Sequence, residues 1–338
     1  MFKKLVIFIV IAAMAGLAGY QYVEKQVDQF VTQPLKIENK QFVTVKSGMS
    51  LTSLLQQFIE QQWINPSFVA SHLHRFRPDL VAIKVGTYQV TRTDSLELAL
   101  QRFINGKEFQ FAITFVEGSR FSDWRTILAS APHLEQTLSE NSEAEIAQKL
   151  GIEQEKLEGL FLAETYHYTQ GMSDLDILSR AHANLNSVLS KAWGEHDKQL
   201  PLKNEYEALT LASIIEKETS LAEERQEIAS VFINRLNRGM RLQTDPTVIY
   251  GLGDAYDGNI RKRDLTKPTP YNTYVIDGLP PTPIAMVGAA SIEAALNPSE
   301  SSYLFFVASG KGGHVFSKSL AEHNRAVRNY LKQLRSNR

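Results

Sequence analysis

The residues best equipped for chemistry are two glutamates separated by a single residue, in the segment Ala212-Ser213-Ile214-Ile215-Glu216-Lys217-Glu218-Thr219. Leading into them, Ala208, Leu211, Ala212 and Ile215 recur at three- and four-residue spacing, which marks one apolar face of a helix. At about 100° per residue, Glu216 and Glu218 fall roughly 200° apart and flank that face on opposite sides, with Lys217 pointing to solvent between them. Ser220-x-x-Glu223 reads as a capping box for a following helix, so the first helix must end at about Glu218-Thr219. A carboxyl group there lies among orphan carbonyls and apolar neighbours, both of which raise its pKa. An acid that keeps its proton near neutral pH is what protonation of a glycosidic oxygen requires. Two solvated helix-end glutamates would give the same pattern, and periodicity does not choose between Glu216 and Glu218.

Composition removes several other chemistries. The 338 residues contain no cysteine, which excludes disulfides, thiolate nucleophiles, iron–sulfur clusters and cysteine-ligated zinc. His314 and His323 are too scattered for ligand spacing, and nothing else has it, so neither a metal nor a cofactor is expected. Net charge is −1, from 36 basic and 37 acidic residues, and gives no reason to expect a nucleic acid partner. Hydrophobic content of 43% with 22% charged residues is that of a folded chain of about two domains.

The elements that must position the glutamates follow from the N-terminus onward. Lys3 and Lys4 precede an uncharged run from Leu5 to Tyr20, extending to Val23. That run can cross about 30 Å of hydrocarbon, with the lysines holding the N-terminus in the cytoplasm and the rest of the chain outside. A cleaved signal peptide is the alternative, through Ala13-Met14-Ala15. Residues 1–23 are thus read as a transmembrane anchor and residues 24–40, polar and charged, as a stalk. Over residues 41–108 the order is strand, helix, helix, strand, then a further helix. Phe42 to Val45 form the first strand, Ser50 caps a helix, Asn65-Pro66 starts a second, Val85 to Val90 form the other strand, and Ser95 caps the last helix.

Residues 109–338 read as one larger domain. A strand Phe111–Phe115 is followed by helices over about 143–151, 174–192, 205–218 and 222–236. Beyond Gly239 prolines recur from Pro246 to Pro298 among Tyr250, Tyr256, Tyr271 and Tyr274, the texture of a functional loop region laid over a scaffold. A strand Tyr303–Val307 and a helix Leu320–Leu334 close it. The fold class expected is α+β: an N-terminal transmembrane helix, a small βααβ module and a larger mixed domain carrying the glutamate helix.

From Glu205 to Asn324 the chain resembles the YceG-like, or MltG, family of endolytic murein transglycosylases. The segments that carry the resemblance begin with Ala212–Thr219 and Val231-Phe232-Ile233-Asn234-Arg235-Leu236, followed by Leu242-Gln243-Thr244-Asp245-Pro246-Thr247 through Gly251. After them come Tyr271-Asn272-Thr273-Tyr274, Gly278-Leu279-Pro280-Pro281, Gly312-Gly313-His314-Val315-Phe316 and Glu322-His323-Asn324. Upstream, Leu157-Glu158-Gly159-Leu160-Phe161 and Thr165-Tyr166 fit as well, and residues 41–108 resemble a LysM-like module, a grip on N-acetylglucosamine polymers.

The resemblance implies a lyase of the bacterial inner membrane with its catalytic domain in the periplasm. It would cleave the β-1,4 MurNAc–GlcNAc bond of peptidoglycan strands without water and leave 1,6-anhydro ends. One glutamate would act as acid and then as base. Lytic transglycosylases carry a serine after that glutamate, so Glu218-Thr219 is the closer analogue and Glu216 the fallback. Gln243, Asp245, Tyr271, Asn272 and Tyr274 would line the saccharide cleft, with Tyr250 facing the core. Peptidoglycan is the implied partner, beside penicillin-binding proteins and other wall-synthesis machinery. Two departures stand out. Ala163-Glu164-Thr165-Tyr166 replaces the family's Pro-Asp-Thr-Tyr, and Met286-Val287-Gly288 replaces an Asn-Pro-Gly or Thr-Pro-Gly, which suggests a less rigid loop. A lysozyme-like hydrolase and a non-catalytic wall-binding scaffold are the competing readings.

Overall fold

The computed structural model describes residues 2–336, which divide into two compact units in a mixed α+β architecture. The first unit runs to Phe111 and takes in Thr169–Gly171. It opens with α1 (Phe2–Thr32), a helix long and apolar enough to cross a membrane. The side chains of Leu5, Ile7, Phe8, Ile9 and Ile11 are exposed along it. Val27, Phe30 and Val31 instead turn into the core, and Leu35 and Ile37 follow them. Residues 24–40 are therefore not a free stalk: an apolar stripe at three- and four-residue spacing inside a polar stretch is enough to dock the end of α1.

Strands β1 (Gln41–Val45) and β2 (Gly86–Val90) pair antiparallel, with Val43 opposite Tyr88. Between them lie α2 (Leu51–Glu60), capped by Ser50 Oγ accepting the Ser53 N–H at 3.1 Å, and the short α3 (Leu73–Phe76). Asn65 does not cap a helix, because Gln33 Oε1 takes its N–H at 2.9 Å and Lys36 Nζ donates to its Oδ1 at 2.6 Å. Helix structure resumes only at Ala70. α4 (Leu96–Asn105) is capped by Ser95 and ends on Gly106 at φ 68°, the left-handed stop that glycine permits.

In the second unit β3 (Phe111–Thr114) pairs with β4 (Thr165–Tyr168), and α5 (Phe121–Ser130) and α6 (Glu143–Leu150) lie between them in sequence. The helical body is α7 (Asp174–Glu195), α8 (Glu205–Glu218), α9 (Arg225–Asn237), α10 (Asp245–Leu252), α11 (Lys262–Thr266) and α12 (Ala289–Leu296). An antiparallel hairpin of β5 (Phe305–Ala308) and β6 (His314–Ser317) then leads into α13 (Leu320–Ser336).

The organising element is α8, which packs against α7, α9, α10 and α12. The single apolar stripe read from its sequence understates its burial, since every residue from Ala208 to Ile215 is buried. Thr210 and Ser213 tolerate this because their hydroxyls return to the carbonyls of Tyr206 and Thr210 at 2.8 and 2.7 Å. Ser213 Oγ also accepts the Ile284 N–H at 3.0 Å, tying the proline-rich stretch to the helix. Nor does the Ser220-x-x-Glu223 box form. The next turn, Ala222–Glu224, has Leu221 at its N-cap, and Thr219 Oγ1 accepts the Leu221 N–H at 3.0 Å in its place.

The segment Met286-Val287-Gly288 is held firmly rather than loosened. Met286 and Val287 are fully buried, and their backbones bond to Gly118, Ser119 and Ala163 at 2.8 to 2.9 Å. Glu164, the other departure, lies at the surface, where its Oε1 accepts from Asn184 Nδ2 at 2.6 Å.

One buried carboxyl group makes the fold sensitive to pH. Glu158 is buried, and its Oε1 accepts the Phe121 N–H at the start of α5 at 3.0 Å. Burial pushes its pKa up to about 7 against that bond and the nearby Arg120 charge. A folded-state value above the unfolded 4.5 means that its contribution to stability is complete below 4.5 and is lost as pH rises through about 7. Glu158→Gln keeps the acceptor without the charge. In urea unfolding at about pH 8 it should exceed wild type by at most about 3 kcal/mol, with the difference vanishing in acid.

Candidate active site

Glu218 is the last residue of α8, and Thr219 turns into extended backbone after it. The helix thus delivers a carboxyl group to the rim of a core that buries the residues before it. There it lines a cavity of about 400 Å³ with Arg235 from α9, Gln243, Thr244 and Asp245 at the start of α10, Tyr274, Phe305 and Phe306 from β5, and His323 from α13. Desolvation pushes the pKa of Glu218 up to about 6. A hydrogen bond from Thr244 Oγ1 to Glu218 Oε1 opposes the rise, the negative charge of Asp245 adds to it and His314 subtracts from it.

The loop facing Glu218 is fixed from beneath by Arg235. This buried guanidinium donates through Nε to Leu304 O at 2.7 Å and through Nη1 to Arg241 O and Leu242 O at 3.1 and 2.8 Å. Its flat face covers the Phe305 ring at 5.0 Å. Gln243 adopts φ 50°, the left-handed region, as the chain swings into α10, and its N–H bonds to Thr273 O at 3.1 Å. Tyr274 OH donates to Asp245 Oδ1 at 2.7 Å, and burial raises the phenol's pKa, so the tyrosine stays protonated. His314 lies behind the acid, with its Nδ1 2.7 Å from Glu224 Oε2.

The structure separates the two glutamates that periodicity left equivalent. Glu216 does not line the cavity. Its Oε2 accepts the Gly288 N–H at 3.0 Å at the start of α12, and Arg225 lies 3.9 Å from Oε1. Beside it Lys217 Nζ donates to Gly118 O at 2.8 Å. Glu216 therefore fastens α8 to the 286–288 segment.

Of the other sequence candidates, Gln243, Asp245 and Tyr274 share the cavity with Glu218, and Tyr271 and Asn272 are not among its walls. Asn272 is buried, its Nδ2 donating to Asp264 O, Leu265 O and Lys267 O at 3.1, 3.2 and 2.8 Å. Tyr271 bonds Thr282 Oγ1 at 2.9 Å and packs edge-on against Tyr250, which also receives the Arg120 cation at 5.4 Å. These residues shape the loops that carry the cavity.

Sequence reasoning gave no place in the cleft to Thr244, Arg235, Phe305, Phe306 or His323, although Thr244, Arg235 and His323 fall inside segments that carry the family resemblance and the two phenylalanines fall in the expected strand Tyr303–Val307. His323 stacks on Phe305 at 5.2 Å, its buried Nδ1 has no hydrogen-bond partner, and burial with the nearby Arg235 charge lowers its pKa. The imidazole is thus held neutral beside the acid.

This geometry can be set against known proteins. The profile of the YceG-like family matches residues 43–329. The chain belongs to that family. A Bacillus subtilis (strain 168) protein named endolytic murein transglycosylase is 30% identical over 319 residues, covering 88% of each chain. A Streptococcus pneumoniae (strain D39) protein of the same name is 24% identical, over 96% of this chain and 64% of its own. The crystal structure of a YceG-like protein from Listeria monocytogenes superposes with a TM-score of 0.56 at 30% identity, covering 86% of this chain and 99% of that one. The family thus spans both units, and the cavity lies inside the matched region.

The contrast between the glutamates is measurable as stability. Glu216→Ala leaves the buried Gly288 N–H without its acceptor and leaves Arg225 with Glu117 as its remaining carboxylate, and should cost about 1–3 kcal/mol in chemical unfolding. Glu218→Gln removes a desolvated charge and should leave stability at neutral pH unchanged or higher; an equal loss in both variants would refute the distinction.

Proposed function

We propose that this protein is an endolytic peptidoglycan transglycosylase whose acid and base are the one carboxyl group of Glu218. What carries the reading is a glutamate with its pKa near 6, desolvated at the wall of a polar cavity, in a chain of the YceG-like family. Its relatives' name, endolytic murein transglycosylase, supplies the substrate class.

The chemistry follows from one proton that moves twice. Glu218 gives its proton to the glycosidic oxygen as the bond from C1 of the muramic residue breaks. The resulting carboxylate takes the proton of that residue's 6-hydroxyl, O6 bonds to C1, and the 1,6-anhydro ring closes with no water consumed. The glutamate ends protonated, ready for another strand. A pKa near 6 suits both halves, since it lies close enough to neutrality for either state to be reached. Gln243, Asp245 and Tyr274 would hold the sugars, with Tyr274 tethering Asp245. Tyr271 and Asn272 would support them from the loops behind.

The remaining parts fit a wall enzyme at a membrane. α1 would anchor the chain in the bacterial inner membrane, N-terminus inside, with the chain beyond the membrane segment in the periplasm. Residues 41–108 would act as a LysM-like grip on the strand and residues 109–338 as the catalytic domain. Tethering would place cutting beside the synthases that extend glycan, penicillin-binding proteins among them.

Asp245 on the same cavity keeps a hydrolase as the competing reading, because hydrolysis with a second carboxylate would use such a pair. Mass spectrometry of digested strands separates the two: anhydro ends are one water lighter than hydrolysed reducing ends, and only the former are expected. Glu218→Gln should lower the rate by roughly 10²–10⁴-fold, whereas Glu216→Gln should cut at a rate close to wild type. The first half-reaction needs the protonated acid, so kcat/KM of the wild type should fall tenfold per pH unit above about 6.

A further inference from the structure

Beneath the cavity, Thr244, Thr247 and Thr273 form a closed ring of hydrogen bonds. The Thr244 N–H donates to Thr273 Oγ1 at 3.0 Å, Thr273 and Thr247 share a hydroxyl–hydroxyl bond of 2.8 Å, and Thr247 Oγ1 donates to Thr244 O at 2.8 Å. Each hydroxyl has one proton to give. With Thr247's proton on the Thr244 carbonyl, Thr273 donates to Thr247 at 2.8 Å in preference to its longer 3.4 Å approach to Thr244 O, and every group around the circuit is satisfied. All three residues are buried, at 3%, 0% and 0% exposure, so water cannot replace a member.

The ring engages both backbone groups of Thr244 and leaves out its side-chain hydroxyl. That hydroxyl donates to Glu218 Oε1. While Thr244 donates to Oε1, the proton of a protonated Glu218 is favoured on Oε2, because a carboxylic hydroxyl oxygen is a poorer acceptor than a carbonyl oxygen.

We propose that Thr244, held by the Thr247–Thr273 ring, is a positioning residue that orients the Glu218 carboxyl group and assigns its transferable proton to Oε2. The proposal rests on Glu218 being the acid, as argued above. A carboxyl free to rotate offers its proton from either oxygen in many orientations, whereas a tethered one presents a single donor toward the cavity. The same bond favours the ionised acid that the second half-reaction needs, and so works against burial. The other charged or titratable groups facing Glu218 are Asp245 and Tyr274 at the loop and His314 from β6, with Arg235 and His323 on the cavity wall.

The test compares Thr244→Val, Thr244→Ser and Thr273→Val in the full-length protein, with melting temperature recorded for each. Thr244→Val removes the donor at nearly constant volume. It should lower kcat about tenfold with KM within about twofold, and move the alkaline limb of the pH profile upward, because the ionised carboxylate loses its donor. Thr244→Ser should restore kcat to within about threefold of wild type along with the wild-type limb. Thr273→Val keeps the 244 hydroxyl but opens the ring, and should lower kcat in the same direction; it answers the question if Thr244→Val does not fold. A folded Thr244→Val or Thr273→Val with wild-type kcat and pH profile would overturn the proposal. If instead wild type left no anhydro ends, or Glu218→Gln cut as fast as wild type, the underlying reading of Glu218 would be at fault and not the ring.

Discussion

A helix buried on every side can place a charge only at its ends. The run Ala208–Ile215 in α8 has no solvent face, so the polar groups within it return to their own backbone, and the glutamates appear only where the helix leaves the core. From that constraint follows most of what is distinctive here. Glu218 is desolvated by the neighbours that bury the helix, and its ionised form is disfavoured further by the carbonyl end of the helix and by Asp245. Glu216, on the other flank, is spent on holding α12 and the 286–288 segment in place. Two chemically identical side chains, one residue apart, end as a desolvated cavity wall and a clamp.

The loop opposite is rigid without regular structure. Arg235 supplies most of that rigidity by gathering three carbonyls from two loops on one planar cation, an arrangement that lysine could not reproduce. Asn272 does the same on a smaller scale for the 264–267 carbonyls. Buried polar groups of this kind cost stability unless bonded, and here Arg235 and Asn272 each bond three carbonyls, so they fix one loop geometry rather than several. The proline-rich stretch after Gly239 therefore behaves as an extension of the core, laid down around the end of α8.

The same economy accounts for the departures from the family's pattern. Met286 and Val287 stand where a proline would stiffen the chain, yet they are buried and bonded through the backbone on both sides, so tertiary packing provides the rigidity that proline would otherwise give. Glu164, longer than the usual aspartate, uses its extra reach to meet Asn184 at the surface.

The sequence by itself determined the elements and the family. Ser50, Ser95 and Gly106 mark helix ends by local backbone chemistry, and the spacing of Ala208, Leu211, Ala212 and Ile215 marks a helix ending at the glutamates, because these signals operate within a few residues. It also singled out Glu216 and Glu218 as the carboxyl groups at that helix end. Where local signals met competing partners they failed. Asn65 was claimed by Gln33 and Lys36, the Ser220–Glu223 box yielded to Thr219, and residues 24–40 were drawn into a core instead of standing free. Only the tertiary structure decided which glutamate faces the cavity and that Thr244, His323 and Phe305 join it there. Burial, and the pKa that burial sets, depend on residues far apart in sequence, and no period along the chain records those distances.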